Sequence, residues 1–338
     1  MNMAQGDPVV SVVCAWYNRA NYLRDTLDSL LGQEFDSFEV VIVNDGSSDP
    51  RVTEILAVYS DPRLKIISQP NAGFVRSIKR AIAEARGQFI AVQGAGDVSL
   101  PMRLREQVAA LLSDDSIGAV GCKRYEVVIG GEADGSRAES KLDTQHPTLK
   151  DLLYGINPFS HGEVMFRRTV YDQVGGYREF FRFAQDRDLW IRMAAHCKLY
   201  VIDQVMYERR AFVEDGIASN HEKLALQQAF SSFSRQCHFD RVRFGADFVD
   251  KYGLNAGLFR KPQKSYADAL ARISIQALFF GKMDSARKFS SLAVYEKKTS
   301  KSVFAYVAAA FSSRSSLFHT FFRFAVGNVA NTKIWPRQ

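Results

Sequence analysis

Three short runs of apolar, largely β-branched residues, each cut off by a polar cluster, constrain the fold of this chain more than any other feature. They are Val9-Val10-Ser11-Val12-Val13-Cys14 before Trp16-Tyr17-Asn18, Val40-Val41-Ile42-Val43 before Asn44-Asp45-Gly46-Ser47, and Phe89-Ile90-Ala91-Val92 before Gln93-Gly94-Ala95-Gly96-Asp97. Nearly continuous apolar runs suit strands covered on both faces. Between the first two, Leu23, Leu27, Leu30 and Leu31 fall on one helical face. Ile78, Ile82 and Ala85 do the same ahead of the third, with Gly87 expected as the C-cap. Strands alternating with helices predict an α/β domain with a parallel sheet. Ligands of such sheets sit beyond the carboxyl ends of the strands, so the three polar clusters are expected along one rim, with Asp45 and Asp97 facing one cleft.

Further along, a helix is expected from about Pro101 through Leu112, then a β-type stretch from Gly118 to Ile129 and an exposed hairpin loop, Gly130 to Ser136. Asn157 to Gly162 reads as a loop feeding a strand, Glu163 to Arg168. In Gln185-Asp186-Arg187-Asp188-Leu189-Trp190-Ile191-Arg192-Met193, the apolar spacing makes Asp186 or Asp188 a first-turn residue of a helix, where a carboxylate is stabilised as the anion. Beyond about Ser219 the pattern is all-helical, with a helical hairpin from Tyr266 to Leu278 and from Ser285 to Tyr295. The expected organisation is an α/β domain over 1–215, with halves of about 8–115 and 116–215, and a helical C-terminal region over 216–338.

Several functional classes are excluded by what the sequence lacks. Gly94-Ala95-Gly96 follows the third strand instead of the first and has Ser99 at the sixth position, so it is no dinucleotide fingerprint. There is no GxxxxGK[ST] phosphate loop, no GxSxG elbow and no HExxH. Cys14, Cys122, Cys197 and Cys237 lie far apart, which points to reduced thiols and to no zinc site. No apolar run reaches membrane-spanning length and no secretory pattern opens the chain, so a cytoplasmic location is expected. What remains is an acidic cleft, Asp45, Asp97 and Asp186, in a chain of net charge +7.

Taken in order, Val12 to Arg19, Val41 to Asp49, Gln69-Pro70-Asn71-Ala72-Gly73 and Gln93 to Pro101 resemble the successive signatures of the family 2 glycosyltransferases. Gln185 to Arg192 resembles that family's later acidic motif. The resemblance covers roughly residues 8 to 210. It implies the GT-A fold, a Rossmann-like mixed sheet flanked by helices, and an inverting hexosyl or related transferase that uses a nucleoside-diphosphate sugar, with uridine as the family's usual base. Carried over residue by residue, it implies that Tyr17 helps form the base pocket, that Asp45 contacts the nucleoside, and that Ala15, Asn71, Gly73 and Gly96 line the donor site. Asp97 matches the last aspartate of the family's metal motif, which implies Mg²⁺ or Mn²⁺ held against the diphosphate. Asp186 matches the catalytic base, which leaves Asp188 as a helix cap. Family members commonly read Asp-x-Asp-Asp where this chain has Gly94-Ala95-Gly96-Asp97, so two acidic positions of the metal motif are absent.

The implied partners are a nucleotide-sugar donor and a glycan or lipid-linked acceptor, in surface polysaccharide or glycoconjugate synthesis. Nucleic acid is not expected, because no recognition motif accompanies the charge. From Lys301 to Gln338 there are basic residues and many phenylalanines but no acidic residue. That tail suits either a peripheral membrane-surface helix or a final helix packed on the helical region. The rival to an enzyme is a noncatalytic nucleotide-sugar binder or scaffold of a glycan-assembly complex. A nucleotidyltransferase is disfavoured because no Gly-rich basic loop follows Cys14.

Overall fold

The computed structural model describes residues 6–213, 220–313 and 320. The described chain forms two compact units. One runs to Ile129 and resumes over Asp134–Phe212; the other holds Gly130–Ala133 and the residues from Val213 onward. The expected boundary at 215/216 and the phenylalanines and basic residues from Arg314 to Arg337 lie outside the described residues.

The first unit begins with β1 (Val10–Trp16), α1 (Ala20–Leu31), β2 (Phe38–Asp45), α2 (Pro50–Val58), β3 (Leu64–Gln69), α3 (Phe74–Ala83) and β4 (Phe89–Val92). It continues with β5 (Val98–Ser99), α4 (Arg103–Ser113), β6 (Ile117–Ile129), β7 (Arg137–Glu139), α5 (Leu149–Tyr154), β8 (Met165–Arg167), α6 (Arg168–Gln173), α7 (Gln185–Ala194) and β9 (Lys198–Phe212). The strands form one sheet in the order β3-β2-β1-β4-β8-β6-β9-β5, with β7 paired to β6. β1 to β4 are mutually parallel, while β8 runs antiparallel to both β4 and β6. The expected α/β sheet is therefore present, and it is mixed.

Alternation along the strands divides the core between two faces. Val12, Cys14 and Trp16 pack with Leu23, Leu27, Leu30 and Leu104 on one side. Val13 and Ala15 pack with Ile78, Ile82 and Trp190 on the other. Both faces are covered, which is why the runs lack a polar alternation. Two expectations need correction. Helix α3 ends at Ala83 with Glu84 as its C-cap, so Gly87 is not the cap. A Cβ at Gly87 would stand 2.5 Å from the Ser11 backbone nitrogen, so the residue is glycine because β1 passes against it. Asp188 is not a helix cap either: Ala184 occupies the N-cap of α7, and Asp188 is ion-paired within the first turn.

The second unit is helical, as expected: α8 (His221–Phe244), α9 (Phe248–Tyr252), a 3-10 turn (Gly253–Phe259), α10 (Lys264–Phe279), α11 (Met283–Glu296) and α12 (Ser300–Ser312). α10 and α11 are the hairpin read from the sequence, and α12 packs on both. Small residues make the close contacts, with Ala277 and Ala286 meeting Ala308 and Ala309. All four cysteines are free thiols, three of them buried.

Candidate active site

The three polar clusters meet at the ends of β1, β2 and β4. Asn18 Oδ1 accepts from the Ser48 and Asp49 amides at 2.9 and 3.2 Å, and the Asn18 amide donates to Ser47 Oγ at 2.9 Å. Arg19 Nη1 donates to the Ala95 carbonyl at 2.9 Å and its guanidinium lies 4.0 Å from the centroid of Phe212. These bonds tie the start of α1 to the turns after β2 and β4. Asn18, Arg19 and Ala184 are the non-glycine residues with positive φ among the described residues. Each such residue costs about 1 kcal/mol or more. The first two open α1 and the third opens α7, so the strain stands at the rim.

Asp45, the last residue of β2, is 4% exposed. Its Oδ1 accepts from Gln69 Nε2 and the Ala72 amide, both at 2.8 Å, and its Oδ2 from the Gly73 amide at 2.9 Å. Asn71 Nδ2 donates to the Asp45 carbonyl at 2.9 Å. The carboxylate thus shapes the loop that carries Asn71 and Gly73 up to α3. Gly46 permits this approach, because a Cβ there would lie 2.5 Å from the Asn71 nitrogen. Tyr17 projects beyond β1 and is 48% exposed, while Ala15 is buried in the strand.

Asp97 lies in the turn after β4. Its Oδ2 accepts from the Tyr207 hydroxyl and its Oδ1 from the Arg210 amide, both at 2.8 Å. The Gly94 amide donates in turn to the Tyr207 hydroxyl at 3.0 Å. Burial pushes the Asp97 carboxyl up to about 6, against the opposing pull of the Arg210 amide, the Tyr207 hydroxyl, Arg209 and Arg19. The turn has no room for further carboxylates on the same backbone. A Cβ at Gly94 would fall 2.1 Å from Asp97 Oδ2, and one at Gly96, where φ is +94°, would fall 2.9 Å from Phe212 Cζ. Among the described residues no cluster of three His, Cys, Asp or Glu side chains is placed to hold a metal ion. One carboxylate suits a hard cation that arrives already bound to phosphate oxygens, since Mg²⁺ takes one or two carboxylates plus substrate phosphates.

Gly162 connects this turn to the other half of the unit, because a Cβ there would lie 2.2 Å from the Tyr207 hydroxyl and 3.0 Å from Asp97 Oδ2. The fully buried Glu163 anchors the loop: it accepts from the Ser160 amide and hydroxyl and pairs with Arg124 at 3.1 Å. Next to Gly162, His161 Nε2 lies 2.6 Å from the Tyr177 hydroxyl, and its ring meets Phe74, the first residue of α3, edge to face. Burial lowers the His161 pKa against the charges of Asp186 and Glu163, and burial together with Tyr171 and Asp186 raises that of Tyr177 well above the ordinary phenol value. Through these contacts Asp45, Gly73, Phe74, His161, Gly162 and Asp97 form one chain of neighbours.

The two aspartates at the start of α7 differ sharply. Asp188 is 2% exposed and is paired with Arg178 and with Arg192, the latter at 2.8 Å. Burial alone would raise its pKa, yet Arg192 and Arg178 hold it below the usual carboxylate value. The carboxylate of half-buried Asp186 makes no hydrogen bond or ion pair among the described residues, and its charge acts on His161 and Tyr177. Arg76 and Lys79 pair with Glu179, and Arg80 donates to Gln69, so these bases of α3 are engaged with the protein's own surface. Sequence reasoning missed Tyr207 and Arg210, the partners of Asp97. They lie more than a hundred positions downstream on β9, with no local motif to mark them.

Residues 11–175 match the model of the family described as glycosyl transferase family 2. A relative in Rickettsia felis, named an uncharacterized glycosyltransferase, is 27% identical over 222 residues, covering 64% of this chain and 36% of its own length. The chain thus corresponds to about a third of that relative. Among solved structures, S. aureus TarS 1-349 in complex with UDP-GlcNAc is similar with a TM-score of 0.54 at 18% identity, over 90% of this chain and 91% of that one. The mannosyltransferase PcManGT from Pyrobaculum calidifontis, in complex with GDP-Man and Mn²⁺, is similar with a TM-score of 0.52 at 17% identity, over 97% and 88%.

Proposed function

We propose that this chain, whose residues 11–175 match glycosyl transferase family 2 and whose fold is the GT-A fold of its structural neighbours, is an inverting transferase of that family. In this reading it moves a hexosyl or related unit from a nucleoside-diphosphate sugar, with uridine as the base, to a hydroxyl of a glycan or lipid-linked acceptor in surface polysaccharide or glycoconjugate synthesis. The UDP-GlcNAc bound by TarS and the GDP-Man and Mn²⁺ bound by PcManGT name the donors and the ion to try first.

One observation carries the reading: beside a locked Asp188, Asp186 is a carboxylate that the protein leaves without a hydrogen bond or ion pair among the described residues. Folding gains nothing evident from such a group, and a general base needs it. Asp186 takes the proton of the acceptor hydroxyl as that oxygen attacks the anomeric carbon. The bond from that carbon to the diphosphate oxygen breaks on the opposite side, the nucleoside diphosphate leaves, and the single displacement inverts the centre. Tyr17 offers an exposed ring to the base. Asp45, Asn71 and Gly73 form the adjoining wall, and Ala15 and Gly96 allow the donor to approach the strand ends. Asp97 would hold a Mg²⁺ or Mn²⁺ ion that enters with the diphosphate; such an ion offsets the charge that develops on the leaving group.

The test is to follow nucleoside diphosphate release from UDP- and GDP-sugars and the anomeric configuration of the product by NMR, for the wild type and Asp186→Asn. The expected result is an inverted product and a turnover reduced by about 10²–10⁴-fold in the variant, with donor affinity unchanged. Retained configuration, or wild-type turnover in Asp186→Asn, overturns the proposal.

A further inference from the structure

Helix α12 reverses the usual distribution of side-chain size. The residues it buries are small: Ser302, Ala305, Ala308, Ala309 and Ser312. On its outer side Val303, Phe304, Tyr306 and Val307 are 45%, 58%, 48% and 44% exposed. With 3.6 residues per turn, those four spread over roughly 160° of the helix surface. A helix on the surface of a globular protein carries polar and charged residues there, yet the one charged residue of α12 is Lys301. The inner face already packs on α10 and α11, so the large side chains do not serve this unit's core.

The charge around α12 says what covers that face. From Lys297 to the end of the sequence there are seven basic residues and no acidic one: Lys297, Lys298, Lys301, Arg314, Arg323, Lys333 and Arg337. The other 37 Lys and Arg balance the 37 Asp and Glu, so the whole net charge of +7 belongs to this stretch. A second copy brings the same positive charge against itself and is repelled. An anionic lipid surface meets both features at once: it attracts the basic stretch, and it accepts a convex apolar ridge with no need for a matching groove. At 13 residues α12 is about 20 Å long, short of a bilayer span, and no described helix is long and apolar enough to cross a membrane.

We propose that α12, with Lys297, Lys298 and Lys301 at its start, docks the protein on an anionic membrane surface, with α12 lying in the interfacial plane and Phe304 and Val307 turned toward the acyl chains. This inference stands on the helical unit alone and is independent of the donor site. The test is co-sedimentation of the full chain with vesicles of phosphatidylcholine, and of phosphatidylcholine mixed in equal parts with phosphatidylglycerol. Binding is expected to the mixed vesicles only and to weaken with added salt. Phe304→Ser/Val307→Ser, with wild-type circular dichroism and melting temperature, is expected to bind about tenfold or more weakly. Lys297→Glu/Lys298→Glu/Lys301→Glu is expected to lose binding as well. Equal or absent binding to the two vesicle types overturns the proposal, and so does unchanged binding by the Phe304/Val307 variant. A wild-type dimer in light scattering that Phe304→Ser/Val307→Ser makes monomeric, with no vesicle binding by either, assigns the face to a second copy instead. UDP-sugar titration of the same samples separates these outcomes from failure of the glycosyltransferase reading.

Discussion

Replacing either aspartate at the start of α7 by asparagine is nearly the same chemical change, and the structure predicts opposite consequences. Asp188 is buried between two guanidiniums: Arg178 Nε donates to its Oδ2 at 3.1 Å, and Arg192 Nη2 does so at 2.8 Å. Arg192 also donates to the Gly176 carbonyl at 2.7 Å, so the cluster ties α7 to the turn before it. Asp188→Asn removes the charge of a buried carboxylate shared by two guanidiniums, a change that costs about 3–5 kcal/mol. For a unit of this size that corresponds to a fall in melting temperature on the order of 10 °C. Asp186 has no such partners, so Asp186→Asn melts as the wild type does. The pH dependence supplies a second check. The native Asp188 pKa lies below its unfolded value near 4. Its stabilisation is therefore complete above about pH 4 and is lost as the pH falls through the native pKa. The gap between wild type and Asp188→Asn should be constant from pH 5 to 8 and shrink below about pH 4. Differential scanning calorimetry of the three proteins reads both effects. Equal melting temperatures for Asp188→Asn and the wild type, or equal losses in the two variants, would refute the division of labour between these residues.

The remaining predictions concern Asp97, Asp45 and the glycines beside them. Because burial raises the Asp97 pKa to about 6, the ionised side chain costs stability at neutral pH, by up to about 3 kcal/mol. Asp97→Asn should therefore melt higher than the wild type at pH 8, converge with it below about pH 4 and bind donor more weakly; a lower melting temperature at pH 8 contradicts this. Gly162→Ala places a Cβ 2.2 Å from the Tyr207 hydroxyl and Gly94→Ala places one 2.1 Å from Asp97 Oδ2, so both should weaken UDP-sugar binding by about tenfold or more while the sheet stays folded. Calorimetric affinities equal to the wild type would show that the Asp97 turn is not part of the donor site. Asp45→Ala removes the acceptor for the Ala72 and Gly73 amides and for Gln69. It should lower stability by about 1–3 kcal/mol and donor affinity together, as read by thermal melts and titration.

Much of this arrangement was legible because the strands that build the cleft are buried on both sides. β1, β2 and β4 announce themselves as apolar runs, and the residues that stop them are the ones at the rim. β3 gives no such signal: at the edge of the sheet, Leu64-Lys65-Ile66-Ile67-Ser68-Gln69 is half exposed and mixes charge with apolar residues. β9 is bulged against β6, which breaks its alternation, so the strand that delivers Tyr207 and Arg210 to Asp97 did not stand out. The Asp188 cluster was half readable, because Arg192 follows at the i,i+4 spacing of a helical ion pair. Arg178, across a turn, was not. Gly87 shows the opposite limit. A glycine after a helical pattern suggests a C-cap, and only the packed structure reveals the strand that excludes a side chain there.

The most direct measurement is calorimetric titration of the full chain with UDP, GDP and their sugar conjugates, each with and without Mn²⁺, alongside Asp97→Asn. The account predicts that one nucleoside-diphosphate sugar binds, that Mn²⁺ strengthens that binding, that Mn²⁺ alone gives no heat of binding, and that Asp97→Asn abolishes the effect of the ion. Binding of none of these nucleotides would contradict the account at its centre.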